Sequence, residues 1–199
     1  EPAKPEPPPP PKPTMAELQK AAIGAALEGL NGQDPKKFAS VYAEDGVISV
    51  AGLNEVNGRA AVERNMTEWF ETFKDVKLGF SRVWVKNDTL VLEWVINGKH
   101  HGELFGVKGT EQPIGHYGLS IVTMSPEGKV ASEHRYGELG TVMTQVGGAK
   151  AKARPIPAVP PAPETIMSTA AADEEKNVEV AKSVLASLEA GKKEADFTN

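Results

Sequence analysis

Residues 76–96 read VKLGFSRVWVKNDTLVLEWVI, and in this stretch the hydrophobic pattern takes a period of two. Alternating apolar side chains, rich in β-branched and aromatic types, are typical of strands with one buried face. Asn87 and Asp88 interrupt the alternation with residue types that favour a tight turn. The stretch therefore predicts a hairpin of two strands, residues 77–85 and 89–96.

The same alternation returns further along the chain. It predicts strands over residues 115–123 and 129–136, joined by the turn Pro126-Glu127-Gly128. A short apolar run at residues 47–50 predicts one strand ahead of the hairpin. The sheet is therefore expected to be formed mainly by hairpin-linked, antiparallel strands.

Helical spacing precedes these strands. Thr14 and Glu17 form a capping-box pattern at the start of a first helix, which is expected to end near residue 30. Asp34 and Pro35 are typical of the start of a second, short helix. Residues 60–73 carry apolar side chains at helical spacing and predict a third.

Three helices followed by a run of strands is the α+β pattern, in which helices pack on one face of a sheet. We expect a cone-shaped domain, a curved antiparallel sheet packed against three N-terminal helices, with a conical pocket between them. Residues 142–146 are expected to form a closing helical turn over one end of the sheet.

Composition limits the function classes. The chain has 199 residues, of which 40% are hydrophobic, so it can bury one ordinary core. A formal net charge of -5 without a long basic run argues against a nucleic-acid partner. The absence of cysteine excludes disulfides and thiolate sites, and no apolar run is long enough to predict a transmembrane segment.

The sequence divides into four segments. Residues 1–13, EPAKPEPPPPPKP, predict an extended proline-rich linker. Residues 14–148 form the domain, residues 149–172 an Ala/Pro-rich linker, and residues 173–199 a helix. A proline-rich spacer at the start of this sequence is typical of a tether behind an export signal. We therefore expect an exported, periplasmic or membrane-tethered protein, with a cytoplasmic location left open.

The last segment has two interpretations. Its end, LEAGKKEADFTN, resembles LEGLNGQDPKKFAS at residues 27–40, which suggests the start of a second copy of the domain. The alternative is an unrelated C-terminal helix.

Two stretches carry a family resemblance. Residues 98–115 read GKHHGELFGVKGTEQPIG, and residues 127–147 read EGKVASEHRYGELGTVMTQVG. Together they resemble the motifs of the SnoaL-like polyketide cyclases, a family of the nuclear-transport-factor-2-like superfamily. The resemblance implies the cone-shaped fold and a small-molecule pocket, and it implies no cofactor.

The resemblance also implies roles for individual residues. Glu138 occupies the position of the family's aspartate, the general acid/base of an intramolecular aldol closure. The other matches are His100 at the motif histidine, Gly102-Glu103, Thr110 in the loop, residues 127–130 in the turn and residues 145–147 in the closing triplet. This chain departs from the pattern at Lys99, Glu111, His134 and Glu138, the last being one methylene longer than aspartate.

Strand alternation adds a prediction of its own. Ser132, His134, Tyr136 and Glu138 share one face of a strand, while Glu133 and its odd-numbered neighbours share the other. We expect the first set to line the pocket. A carboxyl group in an apolar pocket loses hydration and becomes suited to proton transfer near neutral pH. Glu138, Tyr136 and His134 are therefore the predicted catalytic residues, with Tyr136 bonding an enolate oxygen.

Three residues are predicted to bind the ligand: His100, Trp94 and Ser132. Adjacent residues on a strand face opposite ways, so only one of His100 and His101 can face the pocket. Asn97-Gly98 before them is either a bulge in one long strand or a hairpin turn.

No metal site is expected. The candidate ligands lack metal-ligand spacing, since His134 and Glu138 stand about 13 Å apart along a strand, too far to share one ion.

Two functions follow from these predictions. The first is a pocket that binds a small apolar or carbonyl-containing ligand, with or without cofactor-free cyclase or isomerase chemistry. The alternative is a non-catalytic interaction domain that forms a homodimer or a larger assembly through its sheet face. The residues alone leave open whether the chain is an enzyme.

Overall fold

A computed structural model of the chain describes residues 11–169 and 171–189. They belong to two compact units, the first ending at Thr165 and the second beginning at Ile166. The helices are α1 (Met15–Asn31), α2 (Pro35–Ala39), α3 (Arg59–Thr72), α4 (Leu139–Gln145) and α5 (Ala172–Glu189). The strands are β1 (Tyr42–Val50), β2 (Val56–Asn57), β3 (Phe73–Lys86), β4 (Thr89–His100), β5 (Pro113–Met124), β6 (Val130–Gly137) and β7 (Glu164–Met167). The predicted α+β class, with three helices ahead of the main strands, is confirmed.

The first two helices begin where their capping residues predict. The Thr14 backbone N–H donates to Glu17 Oε2 at 2.7 Å, and Glu17 N–H donates back to Thr14 Oγ1 at 3.4 Å. At α2, Asp34 Oδ1 accepts from Lys37 N–H at 2.8 Å, and Pro35 fills the first helical position. Both arrangements satisfy backbone donors that a helix start leaves without a partner.

The sheet is mixed, with the strand order β2-β1-β6-β5-β4-β3-β7. The hairpin-linked strands β3 to β6 pair antiparallel, whereas β1 and β6 pair parallel. The expectation of an antiparallel sheet was therefore wrong at this one pair. A tight turn forces its two strands to be antiparallel, but β1 and β6 are joined only through a helix and four other strands, so no turn sets their direction.

Asn97-Gly98 lies within one long strand. The β4–β5 register runs without a shift from Asn97 opposite Gly115 to Gly98 opposite Ile114, and β4 continues to His100. The irregularity lies on the other side of β4, where β3 shifts register between Lys74 and Lys77. The predicted bulge is therefore found in the neighbouring strand β3 and not at Asn97-Gly98.

The first three helices pack against the concave face of the sheet. At the end of α1, the Asn31 side chain donates to the Leu78 carbonyl at 3.0 Å and accepts from Leu78 N–H at 2.7 Å. Near its start, Gln19 donates to the Asn87 carbonyl at 2.8 Å. Side chains near both ends of α1 therefore bond the backbone of β3 and of the turn that follows it.

The convex face of the sheet is partly covered by residues 154–160, which we call the strap. The strap lies in the stretch predicted to be a linker. Its Ile156 packs over Gly115 of β5, where an added Cβ would come within 2.6 Å of Ile156 Cγ2. The Gln145 side chain joins the strap to β5 at this position. Its Oε1 accepts from Gly115 N–H at 3.0 Å, and its Nε2 donates to the Gly115 carbonyl at 2.8 Å and to the Arg154 carbonyl at 3.4 Å.

The strap reaches β3 at a second glycine. A Cβ at Gly79 would lie 2.6 Å from the Pro160 carbonyl oxygen and 2.7 Å from Val159 Cγ1. On the strand between the two glycines, Val95 is only 2% exposed although it lies outside the main hydrophobic core. The two glycines leave room for the strap, and the strap keeps water from this part of the convex face.

The second unit contains α5, which has acidic residues in its first turn and exposes Val178 and Leu185. Residues 1–10 of the proline-rich segment, and residues 190–199 on which the second-copy hypothesis depends, lie outside the described residues. Within the part that the structure describes, no helix is both long and apolar enough to span a membrane.

Replacing Gly79 with Ala is expected to displace the strap, because the new Cβ would overlap Val159 and Pro160. Limited proteolysis by proteinase K, with the sites read by mass spectrometry, should then show faster cleavage within residues 154–160. Gly24→Ala is the matched control, since an added Cβ there would meet nothing within 4 Å beyond the local backbone of α1. Equal cleavage of both variants would show that the strap does not pack on β3.

Candidate functional site

A cavity of about 510 Å³ lies between the helices and the concave face of the sheet. This volume is within the range of about 300–1,000 Å³ that is usual for small-molecule sites. Its wall is mostly apolar, with aliphatic residues from α1 on one side and alternate residues of β3 to β6 on the other. Representative lining residues are Ile23, Leu27, Phe38, Met66, Trp69, Phe80, Leu90, Leu92, Ile96 and Val122.

Five lining residues form a hydrogen-bonded group that we call the polar cluster: Tyr42, Trp94, Ser120, Glu133 and Arg135. Glu133 Oε1 accepts from Ser120 Oγ at 2.7 Å and from Arg135 Nε at 2.9 Å. Glu133 Oε2 accepts from Arg135 Nη2 at 3.0 Å and from the Tyr42 hydroxyl. Trp94 Nε1–H donates to Ser120 Oγ at 3.0 Å. The cluster thus joins β1, β4, β5 and β6 on one wall.

The charges of the cluster follow from its contacts. Burial by itself would raise the pKa of the Glu133 carboxyl, but the charge of Arg135 and the hydrogen bonds to the carboxylate outweigh burial and lower it. Burial and the Glu133 charge raise the pKa of the Tyr42 phenol. At neutral pH the cluster therefore contains a carboxylate, a guanidinium and an uncharged phenol.

His116 of β5 lines the cavity next to Trp94, with the two ring centroids 5.5 Å apart. Burial lowers the pKa of His116, against the opposing effects of the Tyr117 carbonyl and of the Glu138 charge. Its Nδ1 lies 2.9 Å from the Tyr117 carbonyl oxygen and 3.4 Å from Glu138 N. We assign the shorter contact as the hydrogen bond, with Nδ1–H as donor. The neutral ring then keeps Nε2 as its basic nitrogen.

The prediction that Ser132, His134 and Tyr136 of β6 line the cavity was wrong. Glu133, Arg135 and Gly137 line the cavity. Ser132 and His134 lie on the opposite face, paired with Thr123 and Ile121 of β5, and Tyr136 on that face is half exposed.

The prediction failed because the charged side chains of Glu133 and Arg135 were expected to face solvent. A buried charge is acceptable when it is paired and hydrogen-bonded, as Glu133 is by Arg135. The sequence did contain a signal for the correct face. Glu133 and Arg135 have opposite charges and lie two positions apart, so they share one face of the strand and can pair with each other.

Glu138 lies directly after β6, at the start of α4. Its carboxylate accepts from Thr141 Oγ1 at 3.0 Å and pairs with Arg154 of the strap at 3.1 Å. The residues on either side of it, Gly137 and Leu139, line the cavity, while the Glu138 side chain is 43% exposed. Glu138 therefore lies at the edge of the cavity, with its carboxylate turned toward the strap.

Of the predicted ligand-binding residues, Trp94 lines the cavity, whereas Ser132 and His100 do not. His100 is fully buried, and its Nδ1 lies 3.1 Å from Thr110 Oγ1. Its backbone also bonds Glu111 and Gln112, at 2.8 and 3.0 Å. These two motif residues, His100 and Thr110, thus hold the loop after β4 against the strand.

No pocket role was predicted for four residues that line the cavity: Tyr42, His116, Ser120 and Arg135. Glu133 was placed on the wrong face. Within residues 11–169 and 171–189, no three or more His, Asp or Glu side chains come together in a way that could hold a metal ion.

Comparisons with known proteins agree with this architecture. The family model described as SnoaL-like polyketide cyclase matches residues 20–146. Among curated proteins, none matches the chain.

Several solved structures share the fold. TsrD from Streptomyces laurentii is 16% identical with a TM-score of 0.60, and the match covers 66% of this chain and 96% of that one. A protein from Catenulispora acidiphila with a ketosteroid isomerase-like fold is 17% identical with a TM-score of 0.56, covering 63% and 92%. An epoxide hydrolase of the LEH-like kind from M. tuberculosis is 10% identical with a TM-score of 0.53, covering 66% and 90%.

At these identities the structures establish the fold and no more. The family model, however, spans more than half of the chain. The chain therefore belongs to the SnoaL-like polyketide cyclase family.

Proposed function

We propose that this domain binds a small, mostly apolar molecule with a carbonyl group in its cavity and carries out cyclase- or isomerase-type proton transfer on it. The observation that carries the proposal is the cavity itself, an apolar space of about 510 Å³ with polar groups gathered on one wall. Apolar pockets with a few convergent polar groups are the usual form of small-molecule sites.

The residues of the cavity divide the proposed chemistry between them. A proton on a carbon next to a carbonyl is removed by a base, and the electron pair moves onto the carbonyl oxygen as an enolate. His116 Nε2 is the proposed base, because the imidazole lines the cavity in its neutral form. The Arg135 guanidinium, on the same wall as Trp94, stabilises the enolate oxygen.

Glu138 supports the base in this proposal. The family resemblance implies a proton-transfer role for Glu138, and its charge acts on His116 to favour the protonated ring. Glu138 would therefore stabilise the imidazolium that forms when His116 takes a proton. His134 and Tyr136, on the opposite face of the sheet, take no part in this scheme.

Partly filling the cavity with a larger side chain should weaken ligand binding. Ala26 of α1 lines the cavity, so Ala26→Phe is expected to weaken binding of acetylnaphthalene, an uncharged aromatic ketone, by at least about tenfold. Ala21 on the same helix is exposed, and Ala21→Phe is the matched control. Titrations followed by ligand-observed NMR measure both affinities, and equal weakening or no binding by any form would contradict the proposed cavity site.

Proton transfer can be tested without knowing the natural substrate. In D₂O, the unchanged protein should accelerate exchange of deuterium into the methyl group of acetylnaphthalene, measured by NMR. His116→Gln should lose this acceleration, and Glu138→Gln should reduce it. His134→Gln, which changes an exposed histidine, is the control. Retention of the full rate in His116→Gln would show that another group is the base.

The pH dependence of this exchange has a definite sign. Protonation of His116 removes the base, and burial lowers its pKa from the ordinary value of 6.5. The rate should therefore stay level as the pH falls through 6.5 and should decline only at lower pH. A decline centred at or above 6.5 would be inconsistent with a buried neutral imidazole as the base.

A second candidate function is self-association through the convex face of the sheet. Tyr117, Ile121 and Tyr136 are 57, 37 and 49% exposed and lie on the adjacent strands β5 and β6. Grouped exposed apolar side chains are characteristic of protein–protein contacts. The proposed partner is a second copy of this chain.

Light scattering at several protein concentrations shows whether the chain is a monomer or a dimer. A dimer would have twice the 21.2 kDa mass of the chain. Ile121→Lys should shift it to the monomer, while Ala21→Lys, an exposed change on α1, should not. A monomer at every concentration would exclude self-association as the function of this face.

A further inference from the structure

We infer that the Glu133–Arg135 pair makes the cavity selective for uncharged ligands with an acceptor oxygen, which Arg135 Nη1 binds. This inference rests on the proposed function, since it requires that the cavity hold a ligand. It adds the exclusion of anionic ligands and the guanidinium nitrogen that contacts the ligand oxygen.

The Glu133 carboxylate has no acceptor capacity left for a ligand. A carboxylate offers about four lone-pair positions. Ser120 Oγ and Arg135 Nε occupy those of Oε1, and Arg135 Nη2 and the Tyr42 hydroxyl occupy those of Oε2. Glu133 therefore acts as a fixed counter-charge that orients Arg135, and it is not positioned to accept a proton or a hydrogen bond from a ligand.

Arg135 retains donors. Its Nε and Nη2 bond Glu133, whereas no group in the described part of the chain is hydrogen-bonded to its Nη1. A guanidinium carries five N–H groups in a fixed plane, and two of them belong to Nη1. The Arg135 side chain is 25% exposed and lines the cavity. Its remaining N–H groups are thus available to an atom inside the cavity.

The other members of the cluster offer little competition. Ser120 donates its hydroxyl proton to Glu133 and accepts from Trp94, so its hydrogen bonds are directed within the wall. Tyr42 likewise donates to Glu133, and its hydroxyl oxygen also interacts with the Arg135 guanidinium. The wall therefore presents donors to the cavity, and these donors match a carbonyl or another acceptor oxygen.

Charge then selects against anions. Glu133 and Arg135 together are neutral, so an uncharged ligand leaves the cavity wall neutral. A carboxylate ligand would place a second negative charge beside Glu133 with one guanidinium between them, and an excess charge in an apolar cavity is costly. The preferred ligand class is accordingly an uncharged ketone, ester or lactone with an apolar body.

Three probes with one ring system test this selectivity: ethylnaphthalene, acetylnaphthalene and naphthoate. Their affinities are measured by NMR titration, with the Trp94 indole N–H as a reporter of the cavity wall. A hydrogen bond from a charged donor changes affinity by about tenfold or more. We expect acetylnaphthalene to bind more tightly than naphthoate.

The variant that removes the anchor is the paired change Glu133→Met with Arg135→Met, because removing one charge alone leaves the other buried and unpaired. In this variant the ratio of ketone to hydrocarbon affinity should fall about tenfold relative to the unchanged protein. Using the ratio cancels the different hydration of the two probes. His134→Met, between the two positions on the opposite face, is the control and should leave the ratio unchanged.

The affinities of the three probes test the inference and the cavity proposal separately. An unchanged ketone-to-hydrocarbon ratio in the paired variant, or naphthoate binding as tightly as the ketone, overturns the inference while the cavity proposal stands. Failure of all three probes to bind the unchanged protein contradicts the cavity proposal itself. Far-ultraviolet circular dichroism checks that the paired variant is folded, and if it is not, Arg135→Lys with Glu133 kept should show the same loss of ratio.

Discussion

The ion pair between Glu133 and Arg135 is the interaction on which the cavity depends. Both side chains project from one strand into an apolar space, and each would be costly there without the other. The carboxylate also receives hydrogen bonds from Tyr42 of β1 and Ser120 of β5. One buried carboxylate thus links three neighbouring strands and directs the guanidinium into the cavity.

Helix α1, which forms one side of the cavity, is held to the sheet near both of its ends. Asn31 and Gln19 bond backbone groups of β3 and its turn, so α1 spans the concave face at a fixed distance. On the convex face, the strap packs over Gly79 of β3 and Gly115 of β5. A sheet held from both sides provides the rigid support that positioned polar groups require.

Apart from Val130, and from Glu138 at the cavity's edge, the residues that match the family motif are not the residues that line this cavity. The motif residues His100 and Thr110 bond each other and fix a loop, and Gln145 bonds the backbone of Gly115 and the strap. The cavity wall is instead formed by Tyr42, His116 and the Glu133–Arg135 pair. These motif residues therefore stabilise the fold, whereas the residues of the cavity wall determine what the cavity can bind.

By itself, the sequence determined the main helices and the hairpin-linked strands, because caps, turns and hydrophobic periods act over a few neighbouring residues. The short strands β2 and β7 and the first half of β1 were not predicted. Thr14, Asp34 and the Asn87-Asp88 turn specified where helices and strands begin, and the α+β class followed. Only the tertiary structure decided which face of β6 lines the cavity, that β1 runs parallel to β6, and that residues 154–160 pack on the sheet. Each of these depends on contacts between residues far apart in the chain, whose energies no local pattern contains.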